Sequence, residues 1–189
     1  MTESSIAGVV LAGGDSRRMG SDKAFLEVDG EPLFCRQARI LREAGAEPVL
    51  LSGRKGFDYR AAGVPVILDE TPGLGPVGGI LSALGNVKTQ RLFVLAVDLP
   101  GMTSGFLRRL STLSNRCVIP HTGVHWEPLA AIYTVEIGAL ARERIGRGQL
   151  ALQGLAADLI RRGLALEYRA DPAERGLFLN WNTPEDRLR

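Results

Sequence analysis

Apolar residues fall along this chain in short unbroken runs, separated by longer stretches in which they recur every three or four positions. That pattern alternates buried strands with half-buried helices. The run Ile6 to Leu11 reads as a strand, and Gly13 and Gly14 end it with backbone free to turn sharply. Pro32 stands where a first helical turn can begin, and Leu33, Phe34, Ala38 and Leu41 follow on a helical period until Gly45 stops it. "EPVLLSG" and "VPVILDE" read as a second and a third short strand, and a helix starting near Pro76 carries "VGGILSALGNV". "RLFVLAVDLPG" is the clearest central strand, ending in Asp98 and then Pro100. A helix in "TSGFLRRLSTL" follows, with Thr103 or Ser104 as its cap. "CVIPHTG" and "EPLAAIYT" read as strands around a turn, "VEIGALARERI" and "LQGLAADLIRRG" as helices, and "LALEYR" and "GLFLNWN" as short strands. The alternation predicts an α/β fold: a mostly parallel sheet with helices on both faces and ligands at the carboxyl ends of the strands.

Composition narrows the class. A chain of 189 residues, 45% hydrophobic and 23% charged with 23 glycines, suits one turn-rich domain spanning 1–189 and excludes a disordered or collagenous chain. The formal net charge is +2, and apart from Lys23, Lys55 and Lys88 every basic residue is arginine. That surplus accommodates a small polyanion but is too weak and dispersed for a nucleic-acid groove. Cys35 and Cys117 stand far apart with no CxxC, so neither a zinc site nor a disulfide framework is expected. The N-terminus lacks the build of a signal peptide and no apolar run is long enough to span a membrane, which together give a cytoplasmic expectation.

The loop after the first strand combines glycines with Arg17, Arg18 and Lys23, yet it is neither a Walker A motif nor GxGxxG. Exposed backbone N–H groups and cationic side chains suit phosphate oxygens, and a solvated basic turn fits the same residues. Asp98, at a strand end, suits a hard cation held against phosphates or a turn-shaping carboxylate, and Asp69 invites the same two readings. His121 and His125 have HxxxH spacing, but Gly123 between them falls in a turn, where one shared side is not required. Trp126 and Trp181 suit either a stacking platform or the core. No serine sits in a GxSxG context, so hydrolase chemistry has no foothold.

"LAGGDSRRMGSDKAFLEVDGEPL" resembles the opening signature of the molybdenum cofactor guanylyltransferases, the MobA family, within the nucleotidyltransferases of Rossmann-like, glycosyltransferase-A type fold. The matching elements are Leu11 to Gly14, Ser16, Arg18 to Gly20 and Asp22-Lys23. "GLGPVGG", the "VDLP" containing Asp98 and the late "FLNWNTPEDR" extend the resemblance over nearly the whole chain. It implies a single three-layer domain, its N-terminal half mainly nucleotide-binding and its C-terminal part on the acceptor side. The implied reaction joins GMP from GTP to the phosphate of molybdopterin and releases pyrophosphate. Nucleotide contacts are implied for Leu11, Ala12, Gly13, Gly14 and Asp69, phosphate contacts for Arg18 and Lys23, and Mg2+ binding for Asp98. Asn180 and Asn182 fall on the acceptor side, and delivery of the acceptor by a cofactor-insertion protein is a family-level expectation. Gly78 stands where the family often has alanine, and Trp181 where it has a smaller apolar residue. A relative using CTP or another phosphorylated acceptor, and a non-catalytic GTP-binding module, are the alternative readings.

Overall fold

The computed structural model describes residues 5–13, 23–68 and 73–181. Gly14, Arg18, Asp69 and Asn182 lie outside the described residues. Nine strands are described: β1 Ile6–Leu11, β2 Glu27–Val28, β3 Glu31–Pro32, β4 Val49–Gly53, β5 Val66–Leu68, β6 Arg91–Ala96, β7 Cys117–His121, β8 Ala130–Thr134 and β9 Ala165–Arg169. The helices are α1 Leu33–Glu43, α2 Pro76–Asn86, α3 Ser104–Leu113, α4 Ile137–Gly146 and α5 Leu152–Arg161. Seven strands form one sheet in the order β5-β4-β1-β6-β8-β7-β9. Strands β5, β4, β1 and β6 pair parallel, as do β7 and β9, while β8 runs antiparallel to β6 and β7. The carboxyl ends of every strand except β8 therefore share one edge of the sheet.

The mixed α/β architecture expected from the alternation, Rossmann-like as the resemblance implies, is present, with apolar layers on both faces of the sheet. Val10, Leu51, Phe93, Leu95 and Ile132 pack under α1 and α3, and Val9, Leu50, Leu92, Val94 and Tyr133 under α2, α4 and α5. Successive residues of each strand thus serve opposite layers, as the pleat requires. Each large apolar side chain fully buried in this way contributes about 1.5–3 kcal/mol. The core accordingly carries the fold.

Helix α1 buries Leu33, Phe34, Gln37, Ala38, Ile40 and Leu41, an apolar stripe interrupted by one amide. Thr103 caps α3 by accepting the Phe106 N–H, and Pro76 opens α2 at its first turn. Alanine at Gly78, frequent in the resembled family, would bring its methyl 2.9 Å from Leu74 Cβ and require that side chain to move.

Three local readings differ from the expectation. "GLFLNWN" contains no described strand; Pro172–Phe178 instead forms a 3-10 helix, because Asp171 accepts the Ala173 N–H while Glu174 reaches back to the Asp171 N–H. Strand β6 stops at Ala96, so Asp98 lies in the turn beyond it. A hairpin precedes α1, where Asp29 and Gly30 both take positive φ, the geometry an Asp-Gly turn favours.

Candidate active site

Strand β1 leads through α1 to β4 on one side, whereas β5 leads through α2 to β6 on the other. The connections diverge between β1 and β6, the place where open α/β sheets leave a crevice at their carboxyl edge. Leu11 stands opposite Ala96, the Val97 N–H donates to the Leu11 carbonyl at 3.1 Å, and the Ala12 N–H donates to the Ser52 carbonyl at 2.9 Å. Leu11 and Ala12 are buried and Gly13 half-buried at this edge. The Ala12 N–H is thereby committed to β4, and the Leu11 carbonyl keeps one lone pair beyond its bond to Val97.

Lys23 opens a short 3-10 turn, Lys23–Phe25, that brings its Nζ to 3.6 Å from Asp98 Oδ2. The two side chains are 19% and 24% exposed. Burial pushes the Asp98 carboxyl above its ordinary range, and the Lys23 ammonium pulls the other way without cancelling that shift. A partly exposed ion pair returns at most about 1 kcal/mol. The pair is therefore a poor stabilising device, and a carboxylate perturbed by burial beside a cation in a crevice has the character of a candidate functional site.

The turn after β6 is fastened from three directions. Gln37, fully buried on α1, donates from Nε2 to the Leu99 carbonyl at 2.7 Å. Arg36 donates from Nε and Nη2 to the Pro100 carbonyl at 3.2 and 3.1 Å. The Trp181 N–H donates to the Asp98 carbonyl at 2.9 Å, which brings exposed Asn180 beside the same crevice, and the Trp181 side chain packs against the core. The 3-10 helix also lies close on this turn, for a Cβ at Gly101 would meet the Gly176 carbonyl oxygen at 2.6 Å. Gly101→Ala is expected to cost about 1–3 kcal/mol, because the obstacle is main chain and cannot rotate away. A thermal melt should show Tm lowered by several degrees, and an unchanged Tm would contradict the close approach.

Further along the same edge, the β7–β8 turn draws the two histidines to different partners. His121 accepts the Gly123 N–H on Nδ1 at 3.1 Å and lies edge-on to Trp126, while His125 Nε2 is 3.1 Å from Glu127 Oε1. Burial raises the Glu127 carboxyl, with His125 opposing the shift. Trp126 donates from Nε1 to Glu167, so its polar edge is engaged on β9.

Residues 8–163 match the family model described as the MobA-like NTP transferase domain. A protein of Opitutus terrae named "Probable molybdenum cofactor guanylyltransferase" is 42% identical over 98% of this chain and 95% of its own length. The chain belongs to the MobA-like NTP transferase family. The molybdenum cofactor guanylyltransferase of Xanthomonas euvesicatoria pv. vesicatoria is 35% identical over 94% of this chain and 90% of its own. The crystal structure of molybdopterin-guanine dinucleotide biosynthesis protein A from Archaeoglobus fulgidus shares the fold, with a TM-score of 0.71 at 23% identity over 95% of this chain and 94% of that one. In this MobA-like nucleotidyltransferase, Lys23 and Asp98 fall inside the matched span, and β9, the late 3-10 helix and Asn180 fall beyond it.

The sequence reading named Lys23 and Asp98, and the fold brings them together. It overlooked Gln37 and Arg36. The available signal was the single amide on the otherwise apolar stripe of α1, since a polar side chain in such a place needs a partner.

Proposed function

We propose that this nucleotidyltransferase transfers GMP from GTP to the terminal phosphate of molybdopterin and releases pyrophosphate. The observation that carries the reading is the Lys23–Asp98 pair at the β1–β6 crevice; the guanylyltransferase names of full-length relatives above 30% identity support the choice of base and acceptor. An acceptor phosphate oxygen attacks the α-phosphorus in line, the new P–O bond forms, and the bond to the β-phosphate bridging oxygen breaks with its electron pair on pyrophosphate. Such a reaction needs positioning and charge stabilisation, and no protein nucleophile. Lys23 supplies a point charge to the triphosphate.

Among the described residues no three His, Cys, Asp or Glu side chains gather into a metal cage. Asp98 is nevertheless a fitting holder for Mg2+, which commonly uses one or two carboxylates and takes its other ligands from phosphates and water. When bound, the ion would neutralise charge on the phosphates. Arg18, Gly14, Asp69 and Asn182 are assigned by the resemblance alone, the first three to the nucleotide and Asn182, with Asn180, to the acceptor. Delivery of the acceptor by an insertion protein belongs to the same proposal.

The test is pyrophosphate release with GTP, CTP or ATP against molybdopterin or a sugar phosphate. Release is expected with GTP and molybdopterin at least tenfold faster than with CTP, the discrimination that about 1–3 kcal/mol of unmatched base hydrogen bonding gives. Equal release with CTP would remove the guanine assignment, faster release with CTP would replace guanine by cytosine, and release with the sugar phosphate alone would replace the acceptor.

A further inference from the structure

Two of the contacts that hold the Asp98 turn come from consecutive residues of one helix, and one of the two is completely buried. Gln37 and Arg36 grip the carbonyls of Leu99 and Pro100, the two residues after Asp98. We infer that Gln37 is a positioning residue for nucleotidyl transfer, whose side-chain amide fixes the Val97–Gly101 turn and so sets the Asp98 carboxylate against Lys23. The inference rests on the proposed function for its kinetic part only.

The chemistry at Gln37 favours positioning over stability. The site lies among Leu33, Phe34, Ala38 and Leu41, where an apolar side chain of the same length would pack without polar cost. Gln37 Oε1 is buried and has no hydrogen-bond partner among the described residues, so the amide carries an unmet acceptor along with its one satisfied donor. What that donor secures is the carbonyl of Leu99, which also accepts the Met102 N–H at 3.1 Å and closes the turn on itself. The preceding carbonyl, of Asp98, accepts the Trp181 N–H. Gln37 therefore acts at the centre of a short chain of main-chain bonds running from α1 through the turn to the segment that carries Asn180. Displacing a reacting group by about 1 Å is enough to lose on the order of a hundredfold in rate. An amide that holds the adjoining carbonyl at 2.7 Å governs displacements of that size.

The test compares Gln37→Met, which keeps length and removes the donor, with Leu41→Ala, which destabilises the same helix away from the turn. Gln37→Met is expected to melt within a few degrees of the parent, to lose about tenfold or more in kcat with little change in KM for GTP, and to exchange the Met102 and Trp181 amide protons at least tenfold faster. Leu41→Ala is expected to melt markedly lower with those two amides keeping their order of protection relative to the rest of the sheet. Unchanged exchange at Met102 and Trp181 in Gln37→Met would overturn the positioning role, whatever the activity. Faster exchange with parental kcat would show that the turn does not set the rate and would overturn it equally. If the parent itself fails to transfer GMP to molybdopterin, the exchange measurement still decides whether Gln37 orders the turn, and only the proposed reaction falls.

Discussion

Asp98→Asn is expected to lower transfer by about a thousandfold while leaving a folded protein. The substitution keeps the shape of the side chain and removes the charge, so its effect isolates what the carboxylate does. Removing one electrostatic stabiliser of a transition state typically costs about 10²–10³ in rate. Asp98 stands at the upper end because it faces the crevice and is assigned the cation. Binding of GTP without metal should change little, whereas any gain in GTP affinity on adding Mg2+ should vanish. The stability of the metal-free protein gives a second reading. Burial raises the Asp98 carboxyl above its ordinary value in the folded chain. A raised carboxyl favours folding where it is protonated, and that contribution is lost as pH climbs through the folded value. Asp98→Asn should therefore melt at or above the parent temperature at neutral pH, and the difference should shrink as the pH falls toward the ordinary carboxylate range. Parental turnover in a normally melting Asp98→Asn protein would reduce Asp98 to the turn-shaping residue of the alternative reading.

Lys23→Ala is expected to act on the substrate whether or not metal is present. Its ammonium sits 3.6 Å from Asp98, so its loss removes positive charge from the neighbourhood of the carboxylate and, on the proposed function, from the triphosphate. Transfer should fall by about a hundredfold, and GTP affinity should weaken by a similar factor with and without Mg2+. Lys23→Arg keeps the charge but replaces a compact point donor with a planar fork, so it should recover part of the affinity and less of the rate. Titration of GTP with each variant, with and without Mg2+, separates the two residues. If Lys23→Ala weakened GTP only when metal was present, Lys23 would be acting through Asp98 and not on phosphate.

The nearness of Lys23 and Asp98 was legible in part: Asp98 closely follows an apolar run that reads as a buried strand, Lys23 belongs to the loop after another, and strand ends in alternating α/β chains meet at one edge. The grip of Gln37 and Arg36 on the turn was not legible, because it links positions 62 and 64 apart through the packing of α1 on the sheet. The late 3-10 helix was misread as a strand although Asp171, Pro172 and Glu174 spell a helix start. There the apolar residues of "GLFLNW" outweighed the capping signal that begins five residues earlier, at Asp171. The Asp-Gly hairpin before α1 was likewise present in "VDGEP" and lost beside the stronger helix that follows. The reversed direction of β8 follows from its short connection to β7, which the turn residues around Gly123 already favour.

Strand β6 is clasped along its length, with Ile6 to Leu11 opposite Arg91 to Ala96 on one side and Thr134 to Ala130 opposite Arg91 to Leu95 on the other. A slip of one residue in β6 would turn Phe93 and Leu95 into the layer built for Leu92 and Val94. No neighbouring register is therefore a low-energy resting place for the strand. The strand's register is thereby all-or-none, which fixes where the turn carrying Asp98 begins and leaves the fine placement of the carboxylate to the contacts that grip Leu99 and Pro100.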